Sequence, residues 1–441
     1  MVEINWQAYM QAVESSRSMT AMGRVVRVTG LIAEGEGPPG AGIGSTCGIE
    51  GSGGEKLLAE VVGFKDRGIM LMPYGEMRGV APGSRISLLD DRPYVAVGDD
   101  FIGRVVDAFG RPIDGNGPIL ENGYYPLYGK VVNPMDRHPI RTVADVGVGA
   151  INALVTIGKG QRVGIMSGSG VGKSALMGMM ARHTGADVSI VAMIGERGRE
   201  VKDFIQNTLG EQGLRRSVVV AATSDNSPLI RMRGAYFATT LAEYFRDQGM
   251  DVLLVMDSIT RFAMSSRDVG LAAGEPPTAR GYTPSFFAQL PKLVERAGSV
   301  EGKGAITGIY TVLVEGDDVN DPVGDAVRSV VDGHIVLSRD LANQGHYPAI
   351  DVMASVSRVM RDIVDLEHMQ AAVKFREVLA TYRNAEDLIS IGAYVDGTDP
   401  RIDYAKKMIH RVNAFLRQDI AEAMSFGAAV KQLKELFETD A

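Results

Sequence analysis

The sequence predicts an α/β protein built in three parts after a short N-terminal segment. Residues 21–92 contain short apolar runs separated by Gly- and Pro-rich turns, which is typical of a small β-barrel. Residues 93–359 alternate near-continuous apolar runs with helical patterns, as expected when helices cover both faces of a parallel sheet. Residues 360–441 show almost no strand pattern and are predicted to form a helical domain.

The segment 1–20 carries an amphipathic stripe. Trp6, Tyr9, Met10 and Val13 recur at the spacing of one helix face, which predicts a short helix over residues 3–19. A helix of this length is marginal in water, so its apolar face must pack on something. The sequence leaves open whether that is the body of this chain or a partner.

The strands of the first two parts can be placed from their apolar runs. Barrel strands are predicted at 23–28, 45–49, 57–64, 69–73 and 85–89, with turns at 35–44 and 51–54. Sheet strands are predicted at 162–166, 188–194, 217–222, 252–256, 306–314 and 334–338, with helices such as 201–209 and 228–248 between them. In the last part, helices are predicted over 362–383 and 400–423. Ligands of such a sheet bind at the carboxyl ends of its strands.

One of those carboxyl ends carries a phosphate-binding loop. The run 162–166 leads into Ser167-Gly-Ser-Gly-Val-Gly-Lys-Ser174 and then into a helical pattern. Backbone N–H groups of such a loop surround phosphate oxygens, the lysine reaches the outer phosphates, and the last hydroxyl can ligate Mg²⁺. Ser167 replaces the usual first glycine. The predicted nucleotide-binding residues are Gly168, Ser169, Gly170, Val171, Gly172, Lys173 and Ser174, and the predicted cofactors are ATP and Mg²⁺.

Two acidic residues follow apolar runs that are predicted strands of the sheet. Asp257 ends the run 252–256, where a carboxylate is unexpected unless it serves a cation such as Mg²⁺. Glu196 follows the run 188–194 and is the natural group to orient or deprotonate the attacking water. Glu200 is the alternative residue for this role, but its position predicts the first turn of a helix, where an acidic side chain interacts favourably with the helix dipole. Arg197 either touches phosphate or pairs with a carboxylate.

Composition narrows the class of protein. The 441 residues are 45% hydrophobic and 23% charged, as in ordinary globular proteins. The net charge of −8 argues against a nucleic-acid binder. The single cysteine allows no internal disulfide, and the six scattered histidines argue against a zinc site. With no signal-like or membrane-length apolar run, we expect a cytoplasmic protein.

The segments 195–201, 244–258 and 347–358 resemble the rotary ATP synthase catalytic-subunit superfamily, and most of all its flagellar type III protein-export ATPases. Further similarity lies at 168–174, 290–298, 332–338 and 390–400, so the resemblance runs from about residue 21 to the C-terminus. It implies a RecA-like P-loop ATPase core with an N-terminal β-barrel and a C-terminal helical domain.

The resemblance also implies roles for individual residues. Lys173 and Ser174 would bind phosphates and Mg²⁺, Glu196 would be the catalytic carboxylate followed by Arg197, and Asp257 would be the Walker-B acid. The other implied positions are Arg261, in the Asp-x-x-x-Arg frame of the nucleotide site, Tyr347, stacked on adenine, and Arg358, an arginine finger that reaches into the neighbouring subunit's site. A cation at that point offsets transition-state charge.

A chain that carries both Glu196 and Arg358 can build every site of a ring from its own copies, which favours a homohexamer. The implied partners are a stator-like regulatory subunit on the N-terminal segment, a central stalk-like subunit, export gate proteins at the inner membrane, and export substrates with their chaperones. No nucleic acid is expected. The implied function is ATP hydrolysis that energises flagellar protein export, at the periphery of the membrane apparatus.

Four alternatives remain at this point. A virulence-type secretion ATPase would have the same chemistry. The β-subunit of an ATP synthase is disfavoured by Ser167, because the synthase loop has Gly-Gly-Ala before its Gly-Val-Gly-Lys-Thr. A hexameric RNA translocase is disfavoured by the acidic balance. A non-enzymatic ring subunit is disfavoured by the intact Lys173, Glu196 and Asp257.

Overall fold

The computed structural model describes residues 21–314 and 321–438. The chain divides into two compact units, Met1–Pro93 with Val269–Glu275 and Tyr94–Asp268 with Pro276–Ala441. The predicted stripe of Trp6, Tyr9, Met10 and Val13 lies outside the described residues. Domain boundaries at 20, 92 and 359 remain predictions.

The first unit contains a closed antiparallel barrel. Its strands are β1 Gly23–Thr29, β2 Ile32–Glu36, β3 Thr46–Glu50, β4 Lys56–Lys65, β5 Gly68–Pro73 and β6 Arg85–Asp90. The order is β1-β2-β5-β4-β3-β6, and β6 returns to pair with β1. Alternate side chains, such as Val25, Ile49 and Leu71, fill the interior.

Strand β2 corrects the sequence interpretation, which placed a turn from residue 35. Gly35 pairs with Val25 inside the ladder. A Cβ at Gly35 would lie 2.3 Å from the carbonyl oxygen of Arg24, so this glycine permits close backbone approach within a strand.

The second unit is built on a nine-stranded, mainly parallel sheet. Its strands and a separate pair are β7 Tyr94–Val97, β8 Val105–Val106, β9 Gly123–Pro126, β10 Arg162–Ser167, β11 Val188–Ile194, β12 Ser217–Ala222, β13 Asp251–Asp257, β14 Gly298–Ser299, β15 Ala305–Leu313, β16 Gly333–Leu337 and β17 Ile350–Ser357. The order is β17-β16-β10-β15-β13-β11-β12-β8, with β14 beside β15; β7 pairs with β9 elsewhere. Each of the six predicted sheet strands is present.

Strand β17 was not predicted as a strand. It runs antiparallel to β16 at the edge of the sheet, where three of its residues are exposed. An edge strand lacks the continuous apolar run of a central one, and so its pattern is weak. By contrast, every residue of β11 and β12 is buried. Helices therefore cover both faces of the sheet centre.

Helices of the second unit connect the strands and extend to its C-terminal region. The longer ones are Lys173–His183, Pro228–Asp247, Ile259–Ala272, Pro284–Val294, Pro322–Val330, Leu366–Ser390, Pro400–Leu416 and Phe426–Glu438. The short ones are Gly149–Leu154, Gly198–Asp203, Gly210–Leu214, Arg339–Asn343 and Met360–Ile363, with a π-helical turn at Phe204–Leu209. Among the described residues, no helix has the length and apolarity needed to cross a membrane.

The C-terminal helices share one hydrophobic core with the sheet. Phe375, Met408 and Leu433 belong to the same buried cluster as Ile165 of β10. The predicted helix 400–423 ends early, at Leu416, where Arg417 becomes extended. The Gln418 side chain then donates to the carbonyl oxygen of Gly147 at 2.9 Å. A further helix, Phe426–Glu438, follows this break.

Candidate active site

The phosphate-binding loop joins β10 to the helix Lys173–His183. Gly170 and Gly172 adopt positive φ angles of 78° and 91°, which turn the loop around its own backbone N–H groups. The helix begins directly after the loop, with its partial positive charge at the predicted phosphate position. Ser167 is the last residue of β10 and is buried; its carbonyl oxygen accepts from the N–H of Val314 at 2.9 Å. An extended residue in this position needs no glycine.

Three predicted site residues come together at the carboxyl edge of the sheet. Lys173 forms an ion pair with Asp257, which ends β13, and Lys173 Nζ lies 3.8 Å from Glu196 Oε1. Asp257 is almost wholly buried, with 1% of its surface exposed, and its Oδ1 accepts a 2.7 Å hydrogen bond from the Thr311 hydroxyl. Two acids and one lysine therefore share a largely buried space.

The position of Glu196 is set by Gly195. The N–H of Gly195 donates to the carbonyl oxygen of Ala222 at the end of β12, and Glu196 O accepts from Ser224 N at 2.9 Å. Gly195 has a φ of 72°, and a Cβ there would lie 2.7 Å from the Cβ of Arg261. Only glycine fits this turn, which swings Glu196 from the end of β11 toward Lys173.

The environment of Glu196 shifts its protonation. Burial, and then the nearby charge of Asp257, raise the pKa of Glu196 to about 7, while Lys173 acts in the opposite direction. A hydrogen bond between the Glu196 and Glu200 side chains also raises the pKa of Glu196 and lowers the pKa of Glu200. A carboxyl group with a pKa near neutrality is suited to accept a proton from water.

Glu200 and Arg197 lie farther out. Glu200 is in the first turn of the helix Gly198–Asp203, and Arg197 NH1 lies 3.1 Å from its Oε1. The Arg197 side chain is 77% exposed. In this structure Arg197 pairs with a carboxylate, which was one of its two predicted roles.

Two further arginines lie at this edge. Arg261 is in the helix after Asp257, and its Nε is buried without a hydrogen-bond partner among the described residues. Arg231, which the sequence analysis did not select, also has a buried Nε without such a partner; burial lowers the pKa of Arg231, as does the charge of Arg261. Arg231 is the fourth residue of the helix Pro228–Asp247 and ends its first turn, where the helix dipole disfavours a cation. A basic residue in such a first turn is a signal that could have pointed to an anion.

Tyr347 precedes β17 at the same edge of the sheet. A Cβ built on Gly172 would lie 3.3 Å from Cε1 of the Tyr347 ring, so the ring sits directly against the phosphate-binding loop. The residue is 46% exposed. The predicted adenine-stacking ring thus lies beside the loop and has an open surface.

Arg358 lies away from Lys173, Glu196 and Asp257. Leu337 pairs with Ile350 at one end of the β16–β17 ladder and Gly333 pairs with Ser357 at the other, so Arg358 lies at the amino edge of the parallel strands. Its backbone N–H donates to Asp332 O, at the level of Arg162. From there to Ser167 is five residues of β10, or about 16 Å at the usual rise of a strand. The exposed guanidinium donates to Arg328 O at 3.4 Å.

The residues present fit a Mg²⁺–nucleotide complex. Among the described residues, no three His, Cys, Asp or Glu side chains form a group that could hold a metal ion. Mg²⁺ bound to a nucleotide needs only one or two protein ligands, because phosphates and water supply the rest. Ser174 at the helix start and Asp257 would be those ligands.

Three regions of this chain match models of known protein families. Residues 147–357 match the ATP synthase alpha/beta family, nucleotide-binding domain, and residues 25–89 match the beta-barrel domain of that family. Residues 364–435 match the T3SS EscN ATPase C-terminal domain.

Similar curated proteins extend over nearly the whole chain. The "Flagellum-specific ATP synthase" of Bacillus subtilis is 50% identical and covers 98% of this chain and 98% of that protein. The protein of the same description from Pseudomonas aeruginosa is 49% identical, with coverages of 98% and 96%. Among solved structures, the assembled ATPase EscN from the type III secretion system of enteropathogenic E. coli has a TM-score of 0.88 and 44% identity, and covers 94% of this chain and 99% of that chain.

A second EscN structure, in complex with its central stalk EscO, has a TM-score of 0.87 and 43% identity; it covers 94% of this chain and 99% of that one.

Proposed function

This chain belongs to the ATP synthase alpha/beta family, within which it is similar to the flagellum-specific ATP synthases, and on that premise we propose that it hydrolyses Mg²⁺–ATP to energise type III export of flagellar proteins. The observation that carries the proposal is the meeting of Lys173, Glu196 and Asp257 beside the phosphate-binding loop. Phosphoryl transfer needs charge stabilisation and a positioned water, and this group offers both.

Each residue has a distinct task in the proposed reaction. Lys173 leaves the carboxylates and binds the outer phosphates. Glu196 accepts a proton from, or orients, the water that attacks the γ-phosphorus. Asp257 and Ser174 would hold Mg²⁺, which would neutralise phosphate charge. Arg197 and Arg261 add positive charge at the rim, and Tyr347 stacks on the base.

Arg358 completes the site of a neighbouring copy. Its distance from the loop of its own chain, about 16 Å along β10 alone, prevents it from reaching its own nucleotide. A ring of identical chains, here a homohexamer, presents each Arg358 to the next chain's γ-phosphate. The similar EscN is described as an assembled ATPase, which supports a working assembly of several copies.

Other partners are proposed by similarity. EscN has been solved with its central stalk EscO, and we propose a comparable stalk-like subunit for this chain. A stator-like regulatory subunit on residues 1–20, export gate proteins at the inner membrane, and substrates with their chaperones follow from the same family. The protein would then work in the cytoplasm, peripherally associated with the export apparatus.

The second candidate is export by a virulence-type secretion system. The match of residues 364–435 to the EscN C-terminal domain favours it. Expression of the chain in a motile bacterium that lacks its flagellar ATPase separates the two. Restored swimming and hook-protein secretion, absent with Lys173→Ala, would support the flagellar role. ATPase activity without any restored flagellar export would favour the virulence-type system.

A further inference from the structure

Gln161 is a wholly buried amide directly before β10, and the proposed chemistry assigns it no task. None of its surface is exposed. Its backbone carbonyl oxygen accepts from the N–H of Gly308 in β15, and its Oε1 accepts from the N–H of Gly158 at 2.9 Å. These bonds fix the side chain in one orientation.

The other end of that amide reaches the strand that carries Arg358. Gln161 Nε2 donates to Ser357 Oγ at 3.1 Å and to Asp332 O at 3.2 Å. The same carbonyl oxygen of Asp332 accepts the backbone N–H of Arg358 at 3.0 Å. Gln161 thus holds Ser357 directly through its hydroxyl, and it shares the carbonyl oxygen of Asp332 with the backbone N–H of Arg358.

Asp332 is itself held firmly. Its carboxylate accepts from the backbone N–H of Arg162 at 3.1 Å and from the Arg162 guanidinium through two bonds of 3.0 Å. Arg162 also lies beside Glu295 in an ion pair. Arg358 thus has a fixed backbone, whereas its exposed side chain makes, among the described residues, one long hydrogen bond, to Arg328 O.

We propose that Gln161 is the positioning residue for Arg358, since it holds the Ser357–Arg358 backbone at the height from which the guanidinium reaches the neighbouring chain's nucleotide. The inference rests on the proposed function, in which Arg358 acts in trans. A group that must meet another molecule's phosphate gains from a base that is fixed beforehand, because a displacement of about 1 Å can cost 10²-fold in rate.

The test uses Gln161→Leu, which keeps the volume and removes the amide. We expect kcat to fall by about 10- to 100-fold with unchanged ATP affinity. Asn152→Leu is the matched control, because Asn152 is also a fully buried amide, which bonds Asp145, Val146 and Met424 but no residue of β16 or β17. It should lower thermal stability and leave kcat close to that of the parent chain.

Mixing experiments identify the group through which Gln161 acts. In co-assembled rings, Gln161→Leu should regain activity with Lys173→Ala, which supplies an intact Arg358, but not with Arg358→Ala. Adding Gln161→Leu to Arg358→Ala should slow the enzyme no further, because effects that pass through one group are not additive. Recovery with Arg358→Ala instead, or an additive loss, would overturn the proposal.

Two controls make a negative result decisive. If Lys173→Ala and Arg358→Ala themselves fail to complement, the trans arrangement fails and the role proposed for Gln161 falls with it; if that pair complements while the Gln161→Leu mixtures do not follow the expected pattern, only the role of Gln161 fails. If Gln161→Leu does not fold, Ser357→Ala removes one of the same hydrogen bonds with little change in volume. In the mixing experiments Ser357→Ala should behave like Gln161→Leu: it should regain activity with Lys173→Ala but not with Arg358→Ala. Its loss of kcat should be smaller, and a kcat equal to that of the parent chain would count against the proposal.

Discussion

Lys173 Nζ lies 3.8 Å from Glu196 Oε1 while the same ammonium forms an ion pair with Asp257. The lysine that would bind phosphate is thus held by the two acids of the site. A nucleotide must compete with these carboxylates, so binding and the release of Glu196 for catalysis are linked.

Lys173→Ala should abolish most ATPase activity and also weaken nucleotide binding. The variant removes the charge that reaches the outer phosphates and leaves Asp257 buried without its cation. Titration with a fluorescent ATP analogue gives the affinity, and phosphate release gives the rate. Unchanged affinity would assign phosphate binding to the loop backbone alone.

Glu196→Gln should keep ATP bound while turnover falls by about 10² to 10⁴, the usual contribution of a general base. The amide is nearly isosteric but cannot accept the proton. Single-turnover hydrolysis at saturating ATP measures the step directly. Glu200→Gln is the companion variant, and a greater loss there than at Glu196 would move the base to Glu200.

The pH dependence of kcat/KM for ATP should show a single rise. Burial and Asp257 raise the pKa of Glu196 to about 7, so the carboxyl group is protonated and inactive below that value. Activity should therefore fall about tenfold per pH unit below 7 and level off above it. If kcat/KM does not change between about pH 5.5 and about 8, the rate does not depend on the ionisation of Glu196.

The same shift predicts a stability difference. A folded-state pKa above the ordinary value of 4.5 means that the ionised form of Glu196 opposes folding, so stability is lost as the pH rises from about 4.5 through about 7. Glu196→Gln should gain thermal stability relative to the parent chain over that window, by at most about 3 kcal/mol, and the gain should then stay constant. Melting curves at matched ionic strength give the difference; a gain that shrinks with pH would refute the assigned direction.

Mixing inactive Lys173→Ala with inactive Arg358→Ala should restore partial activity. About a quarter of head-to-tail interfaces then join an intact loop to an intact arginine. Native mass spectrometry checks that the two chains assemble together. With co-assembly established, zero recovery would rule out a trans arginine.

The N-terminal stripe gives a prediction from sequence alone. Deletion of residues 1–18 should leave nucleotide binding intact but weaken partner binding or assembly, since aromatic residues such as Trp6 are enriched among interface hot spots. Trp6 is the only tryptophan, so its emission reports on this segment directly. A blue-shifted emission in dilute monomer, unchanged on assembly, would show that the stripe already packs on its own chain.

The sequence predicted the architecture, and it predicted which acidic and basic side chains meet at the carboxyl edge of the sheet. Strands such as β11 were identified because both faces are buried and the apolar run is continuous. Strands β17 and β2 were missed. Exposed residues interrupt the apolar run of β17, and Gly35 interrupts the apolar pattern of β2.

The site residues fell into two groups. Lys173, Glu196 and Asp257 follow strand ends in a recognisable order, so their convergence follows from the parallel sheet. Gln161 could not be found in this way, and the signal for Arg231, a basic residue in the first turn of a helix, was not used. The role proposed for Gln161 rests on its hydrogen bond to Ser357, 196 positions away in the sequence, and no local pattern encodes such a contact.

The separation of Arg358 from the phosphate-binding loop across one sheet has an arithmetic consequence. If Arg358 acts in trans as proposed, each chain brings one half of a site on each of two edges, and an open row of chains always leaves one half-site unused at either end. A closed ring leaves none. Specific activity per chain should therefore increase with the length of an open row and reach its full value only on closure, which would let the cell keep unassembled copies from consuming ATP before an export apparatus exists.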